Sequence, residues 1–507
     1  MPGKYVLAVD AGSGGGRALI FDLKGNLVSF AARDWSYDVP DDAAPMGKEF
    51  NAQTFWDIIC QLIHQAIGQA EITPTDVLAV SAASQREGAV FLDKEGRELY
   101  AGPNVDIRAL VEGFAIDGEH GDEVYRITGH KPSLLFVPAK LKWFQTNRPQ
   151  VYEKIDTVLS ISDWIIYRLS GQRVGEITSI ADLGLFDISE LQWSRRLMEM
   201  LGLPAGIYPE IVTAGTCVGE VTPDAAGQCG LSQGTSVVVG GADTQCGLLG
   251  MGVMDGGQVG IVAGWSGVVQ MVTPEPVIDA VGRIWTGCHV LPRKWILESN
   301  AQESGGGYRW LKEILFADSG ESGDAYAVMD RLAQDVPPGA GGALAFIGPQ
   351  VMDMNRMLPS LGGFIFPVTP TVTSMRREHL IKAALENLSY AFKANCAQLE
   401  EISGLQAKEV SIGGGLAQSR CLVQVLSDVR GSPVTAFEVP HVTSCGTAMC
   451  AAVGAGAYPD LGQAVEAMRP QPRVVEPDSQ KGQEYARYYE KWLATVGWLN
   501  RLLEEVG

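Results

Sequence analysis

The sequence predicts an α/β protein built from two large domains, and three observations carry that reading. At 507 residues the chain is too long for one ordinary hydrophobic core, since single cores stop growing at roughly 250–300 residues. Apolar runs of strand length are interleaved with stretches of helical period. A strand, glycine turn, strand unit near the start also recurs about half a chain later, as Gly12-Ser13-Gly14 and then as Gly264-Trp265-Ser266-Gly267, which hints at duplication.

Residues 6–35 read as a three-strand meander, turning first after Asp10 and again at Lys24-Gly25-Asn26. Phe55 to Ala70 is helical in pattern. Val77 to Ala82 is a strand that ends at the polar group Ser84-Gln85-Arg86-Glu87, and residues beyond a strand end are where open sheets place ligands. Residues 234–247 form a strand leading into the glycine-flanked turn Gly240-Gly241-Ala242-Asp243, and 258–273 is strand, turn, strand. In 408–434 a strand meets Gly413-Gly414-Gly415 and then a helix with Leu422, Val425, Leu426 and Val429 at helical spacing. The last stretch, from Tyr485 to Leu503, is an amphipathic helix with no chemistry attached. The domain boundary is placed near 250–256, giving domains 1–252 and 253–507.

Composition narrows the function. The hydrophobic share of 46% leaves ample surface for two cores. A net charge of −20 without any run rich in lysine and arginine argues against nucleic acid and anionic membranes as partners. An acidic chain that binds phosphates must then do so with backbone amides and a divalent cation. The nine cysteines are scattered, odd in number and free of any Cys-x-x-Cys pair, which suits reduced thiols in the cytoplasm. No basic leader opens the chain and no charge-free stretch reaches the length of a membrane span, so a soluble cytoplasmic protein is expected. The six histidines are dispersed and match no zinc spacing.

Asp10 closes an apolar strand and precedes a turn whose amides suit phosphate oxygens, with the carboxylate free to hold a metal or its water. A structural aspartate in a glycine hairpin is the plain alternative. A dinucleotide fingerprint fails, because Arg17 and a further strand follow where a helix should open. Asp243 follows Val237-Val238-Val239, where a carboxylate can accept a hydroxyl proton during phosphoryl transfer; alone, it reads more readily as a turn aspartate. Arg86, Glu87, Asp106 and Arg108 offer donors and acceptors suited to a polyhydroxylated ligand, or a surface ion-pair cluster. The triple glycine admits a nucleotide close to the backbone, or is a tight strand-to-helix turn. A serine-hydrolase elbow at Gly264-Trp265-Ser266-Gly267 fails because Val268 stands where its last glycine belongs.

Taken in order, DAGSGGGR (10–17), SQREG (84–88), NVDIRA (104–109), ISDWIIYRLSG (161–171), GGADTQCG (240–247), NAQESGGGYRWL (300–311), ALENL (384–388) and IGGGLAQS (412–419) resemble the FGGY carbohydrate kinases. The resemblance implies two ribonuclease-H/actin-like domains with a ligand cleft between them, sugar bound mainly by the first and ATP mainly by the second. By position it implies that Asp243 is the general base and, with Asp10, a magnesium ligand. It places Ser13, Gly264, Ser266, Gly305, Gly414, Gly415 and Ser419 on the nucleotide, and Arg86, Glu87, Asp106 and Asp243 on the substrate. The 84–88 block with NVDIRA and ISDW is most similar to members acting on autoinducer-2, linear 4,5-dihydroxy-2,3-pentanedione; a ketopentose such as xylulose or ribulose is the alternative. A catalytically weak sugar- or nucleotide-binding protein of this fold is the rival class. Gly15 stands where the family commonly has a hydroxyl residue and Trp265 where it commonly has threonine. A homodimer is left open.

Overall fold

The run Tyr5–Ala11 forms the first strand, β1, and is buried on both faces. Leu7 and Val9 lie in one hydrophobic cluster and Val6 and Ala8 in another, the period of two that a pleated strand imposes. The structure, a computed structural model, describes residues 4–317, 324–356, 360–368 and 375–506. β1 pairs antiparallel with β2 (Gly15–Asp22), and β2 with β3 (Leu27–Asp34), so the expected meander is present. On the other side of β1, β4 (Val77–Ser84) adds in parallel. β5 (Cys217–Glu220) then pairs antiparallel with β6 (Ser236–Ala242), which is parallel to β4. The sheet order is β5-β6-β4-β1-β2-β3.

Both faces of this sheet need cover. The helix Ala52–Ala70 is started by Asn51, whose side chain accepts the Thr54 amide at 2.9 Å, and it lays Phe55, Trp56, Ile59 and Ile63 into the cluster of Leu7 and Val9. The opposite face packs against the helix Val442–Gly454 through Cys445, Ala448, Met449 and Ala452. That helix carries no charged residue, so it is stable only when covered. The compact units are accordingly not consecutive halves of the chain. The first comprises Met1–Met254, Thr273–Ile296 and Val442–Pro470; the second comprises Asp255–Val272, Leu297–His441 and Gln471–Gly507.

In the second unit β7 (Gln258–Ala263) pairs antiparallel with β8 (Gly267–Thr273), which neighbours β9 (Trp295–Asn300). β10 (Glu409–Gly413) and β11 (Val434–Phe437) add in parallel beyond β7, and β12 (Arg473–Val475) follows antiparallel. Apart from a seventh strand, Trp285–Cys288, next to β9, the order β9-β8-β7-β10-β11-β12 mirrors that of the first unit, although the edge strand β12 follows β11 in the chain where β5 precedes β6. Each unit has the ribonuclease-H/actin-like arrangement, and the two glycine turns occupy equivalent places: three residues, 12–14 and 264–266, join the first strand to the second in each. The last helix, Ser479–Val506, buries Tyr485 and Trp492 near Tyr390, with the Trp492 indole donating to Asn387 Oδ1 at 2.9 Å. No described helix is long and apolar enough to cross a membrane.

Candidate active site

β1, β4 and β6 are parallel neighbours, so their carboxyl ends share one edge of the first sheet: Asp10 lies beside Ala83, and Ala242 beside Ser84. Topology alone therefore brings Asp10, the Gln85-Arg86-Glu87 segment and Asp243 to the same edge. Asp243 departs from expectation in one respect. β6 continues through Gly240 and Gly241 by a register shift after Val239, and Asp243 opens the helix Asp243–Met251 instead of standing in a turn. The Ala242 amide donates to Thr178 Oγ1 at 2.9 Å, that hydroxyl donates to Glu176 Oε2 at 2.6 Å, and Thr443 Oγ1 donates to the Asp243 carbonyl at 3.0 Å. The backbone on both sides of the carboxylate is thereby pinned.

Burial is the largest influence on Asp243 and pushes its carboxyl up to about 7; Arg86 pulls it down, while Asp10 and Asp182 add to the rise. Burial likewise holds Asp10 above the usual carboxylate range, against the pull of Arg17, whose Nη1 donates to Oδ2 at 3.4 Å. Two carboxylates at one edge, with the charge of one opposing ionisation of the other, favour a divalent cation between sheet and ligand. Among the described residues no group of three or more His, Cys, Asp and Glu side chains is arranged to hold a metal unaided.

Arg86 lies between two carboxylates, its Nε 3.8 Å from Glu87 and 3.9 Å from Asp182, with its guanidinium carbon 5.5 Å from the centre of the Trp285 ring. Glu87 has φ of +58°, a strained conformation for a residue with a side chain, of the kind that gathers at functional sites. Its carbonyl accepts from the buried Lys140 ammonium at 3.1 Å, and burial lowers the affinity of that amine for its proton. Asp106 is fully buried, and its oxygens accept from the Tyr100 hydroxyl, from Arg108 Nε at 2.8 and 3.0 Å, and from the Lys48 amide at 2.9 Å. It organises the loop carrying Asn104, and contact with a substrate there would require one of these bonds to be given up. Asn104 in turn donates to the Ser13 hydroxyl at 2.9 Å. A Cβ on Gly15 would stand 2.8 Å from the Arg33 carbonyl on β3, which explains why this turn carries no second hydroxyl residue.

The second unit holds a cavity of about 670 Å³ lined by Gly264, Gly305, Gly415 and Ser419, with Trp265, Tyr308, Tyr326, Asp330, Arg331 and Gln334 among the other walls. Ser266 and Gly414 lie in the turns beside these residues without lining it; Gly414 has φ of +101°. Gly305 is required by contact, since a Cβ there would lie 2.1 Å from the Gly264 carbonyl, and this brings the start of the helix Ser304–Leu315 against the turn 264–266. Ser419 caps the helix Arg420–Arg430 and donates its hydroxyl to Asp330. Trp265 is 61% exposed at the rim.

Residues 5–250 match the FGGY family of carbohydrate kinases, N-terminal domain, and residues 259–455 match its C-terminal domain. The chain belongs to the FGGY family of carbohydrate kinases. Curated relatives include autoinducer-2 kinases from Salmonella typhimurium and Yersinia pseudotuberculosis, each 34% identical over 97% of this chain and 94% of theirs. Among solved structures, xylulose kinase from Rhodospirillum rubrum is 25% identical, with a TM-score of 0.84 over 99% of this chain and 100% of that one. Sequence reasoning passed over three residues near this kinase's Arg86: Asp182 and Trp285, which face it, and His130, which faces Asp182; they come from three separated stretches with no recognisable spacing.

Proposed function

We propose that this kinase transfers the γ-phosphoryl group of ATP to a hydroxyl of a small linear carbonyl polyol in the cytoplasm, with 4,5-dihydroxy-2,3-pentanedione, the linear form of autoinducer-2, as acceptor. The observation that carries the reading is Asp243: a carboxylate at a strand end, tuned close to neutral pH and set beside Arg86. Relatives named autoinducer-2 kinase, 34% identical along nearly the whole chain, support the choice of acceptor.

In this reading Asp243 accepts the proton of the acceptor hydroxyl as its oxygen bonds to the γ-phosphorus and the bond to ADP breaks. Arg86 donates to the acceptor carbonyl, and Glu87 accepts from a neighbouring hydroxyl. The cavity of the second unit falls within the usual 300–1,000 Å³ of small-molecule sites. Its tyrosines suit a base, and the amides around Gly264, Gly305 and Gly415 suit phosphates; in the first unit, the Ser13 turn by itself also suits a phosphate oxygen. Asp10 and Asp243 would hold magnesium, which supplies neutralisation of phosphate charge. All nine cysteines are free thiols, in keeping with a reducing compartment.

An ADP-release screen across the diketone, xylulose, ribulose and glycerol tests the proposal. Turnover should be most efficient with the diketone. Xylulose used at least tenfold more efficiently would replace the acceptor by a ketopentose, and no ADP release with any acceptor would point to a binding protein of this fold.

A further inference from the structure

Asp182 has been given no contact with acceptor or phosphate above, yet besides raising the Asp243 carboxyl it faces the Arg86 guanidinium. It follows the short helix Ile177–Ala181, whose start is fixed by Glu176 accepting the Thr178 and Ser179 amides. Its side chain is 1% exposed, and neither oxygen accepts a well-aligned hydrogen bond from the protein. Instead Oδ1 lies 2.9 Å from His130 Nε2, and Oδ2 lies 3.9 Å from Arg86 Nε. A buried carboxylate without aligned hydrogen bonds is costly unless the groups facing it stay in place.

His130 is itself fixed. Its Nδ1 is 2.7 Å from the Thr128 carbonyl, which can only accept, so Nδ1 is the donor there and Nε2 is the ring atom turned to Asp182. Its ring packs between Phe136 and Trp285, both with centroids 5.4 Å away, and the Trp285 indole donates to the Lys131 carbonyl at 2.6 Å. The Arg86 guanidinium therefore has a carboxylate on each side and an aromatic ring as platform. A guanidinium held in one place donates only, so it suits an acceptor atom without a proton of its own: a carbonyl oxygen sooner than a hydroxyl.

We propose that Asp182, seated on His130, is a positioning residue that holds Arg86 at the carbonyl end of the acceptor and so makes the enzyme prefer a ketone-bearing acceptor to the corresponding reduced polyol. The inference rests on the proposed carbonyl-polyol reading. Asp182→Asn keeps the shape and removes the charge. It should raise the acceptor KM about tenfold, leave the ATP KM within about twofold, and lower the ratio of kcat/KM for xylulose over xylitol by about tenfold, as expected when a single charge-assisted interaction is removed. His130→Gln should move the same ratio in the same direction and decides the matter if Asp182→Asn does not fold by thermal melting. A folded variant that keeps the wild-type ratio, or in which both KM values rise together, would overturn the positioning role. A wild-type enzyme with no preference for xylulose over xylitol would instead remove the carbonyl-polyol reading beneath it.

Discussion

Asp10 and Asp243 stand at the ends of β1 and β6, two strands separated by β4 alone, and the charge of Asp10 makes Asp243 harder to ionise. In the proposed reading they share a cation and divide the work of proton acceptance and charge neutralisation.

Replacing Asp243 with Asn keeps the volume and removes the proton acceptor. Turnover should fall by about 10²–10⁴-fold with acceptor binding changed only a few-fold. Steady-state kinetics decide it: a variant keeping more than about a third of wild-type kcat would take the base role away from Asp243. Asp10→Asn should weaken the magnesium dependence of turnover more than acceptor affinity, read from kcat against magnesium concentration.

The second prediction concerns pH. A base at about 7 is protonated below that value, so kcat/KM should decline as pH falls through neutrality. Arg86 lowers the Asp243 carboxyl and Asp10 raises it, so the two variants should shift this limb in opposite directions at fixed magnesium. Arg86→Ala moves it to higher pH and costs about 1–3 kcal/mol of transition-state stabilisation; Asp10→Asn moves it to lower pH. Shifts of the same sign in both would mean that the limb reports another group.

Much of this edge was legible because strand ends and glycine turns leave marks in a sequence. Asp10 ends an apolar run before AGSGGG, and Arg86-Glu87 ends another, so parallel strands bring them together once the topology is known. What stayed hidden depends on packing across long separations. Asp106 is as polar as Asp243, yet it is consumed by Tyr100, Arg108 and Lys48. The helix Val442–Gly454 belongs to the first unit because of what it covers, and no local pattern records that. His130 and Asp182 become a pair only when folded.

The third prediction is a stability profile. Glu386 in the helix Arg377–Ser403 is pushed up to about 8, chiefly by burial, with Lys382 pulling the other way, and it accepts the Gly339 amide at 2.9 Å. Between the unfolded carboxyl value near 4.5 and about 8 the native state holds this proton more tightly than the unfolded chain does. Stability from this group is therefore lost as pH rises through that window. Glu386→Gln keeps an acceptor for Gly339 and removes the titration. Wild type should lose on the order of a few kcal/mol more than the variant between pH 5 and 9 in denaturant melts. Parallel profiles would show that Glu386 keeps the same affinity for its proton in both states.

The last prediction tests why glycine stands at position 15, just after the first glycine turn. Gly15 pairs with Asp34 across β2 and β3, and the Trp35 amide donates to the Gly14 carbonyl at 3.2 Å, so the strands are held together at this point. A Cβ on Gly15 would meet the Arg33 carbonyl at 2.8 Å and Asp34 at 3.1 Å, both involving backbone that cannot swing away. Gly15→Thr gains about 0.4–1 kcal/mol by restricting the unfolded chain, but overpacking against backbone costs about 1–3 kcal/mol. The steric cost wins. Melting temperature should fall, and the ATP KM should rise as the turn carrying Ser13 is displaced. Gly14→Ala is the control, because a Cβ there has nothing within 4 Å; its stability should stay within about 0.5 kcal/mol of wild type. A Gly15→Thr protein as stable as the control, with an unchanged ATP KM, would show that β3 can yield at this position and that space does not explain the glycine.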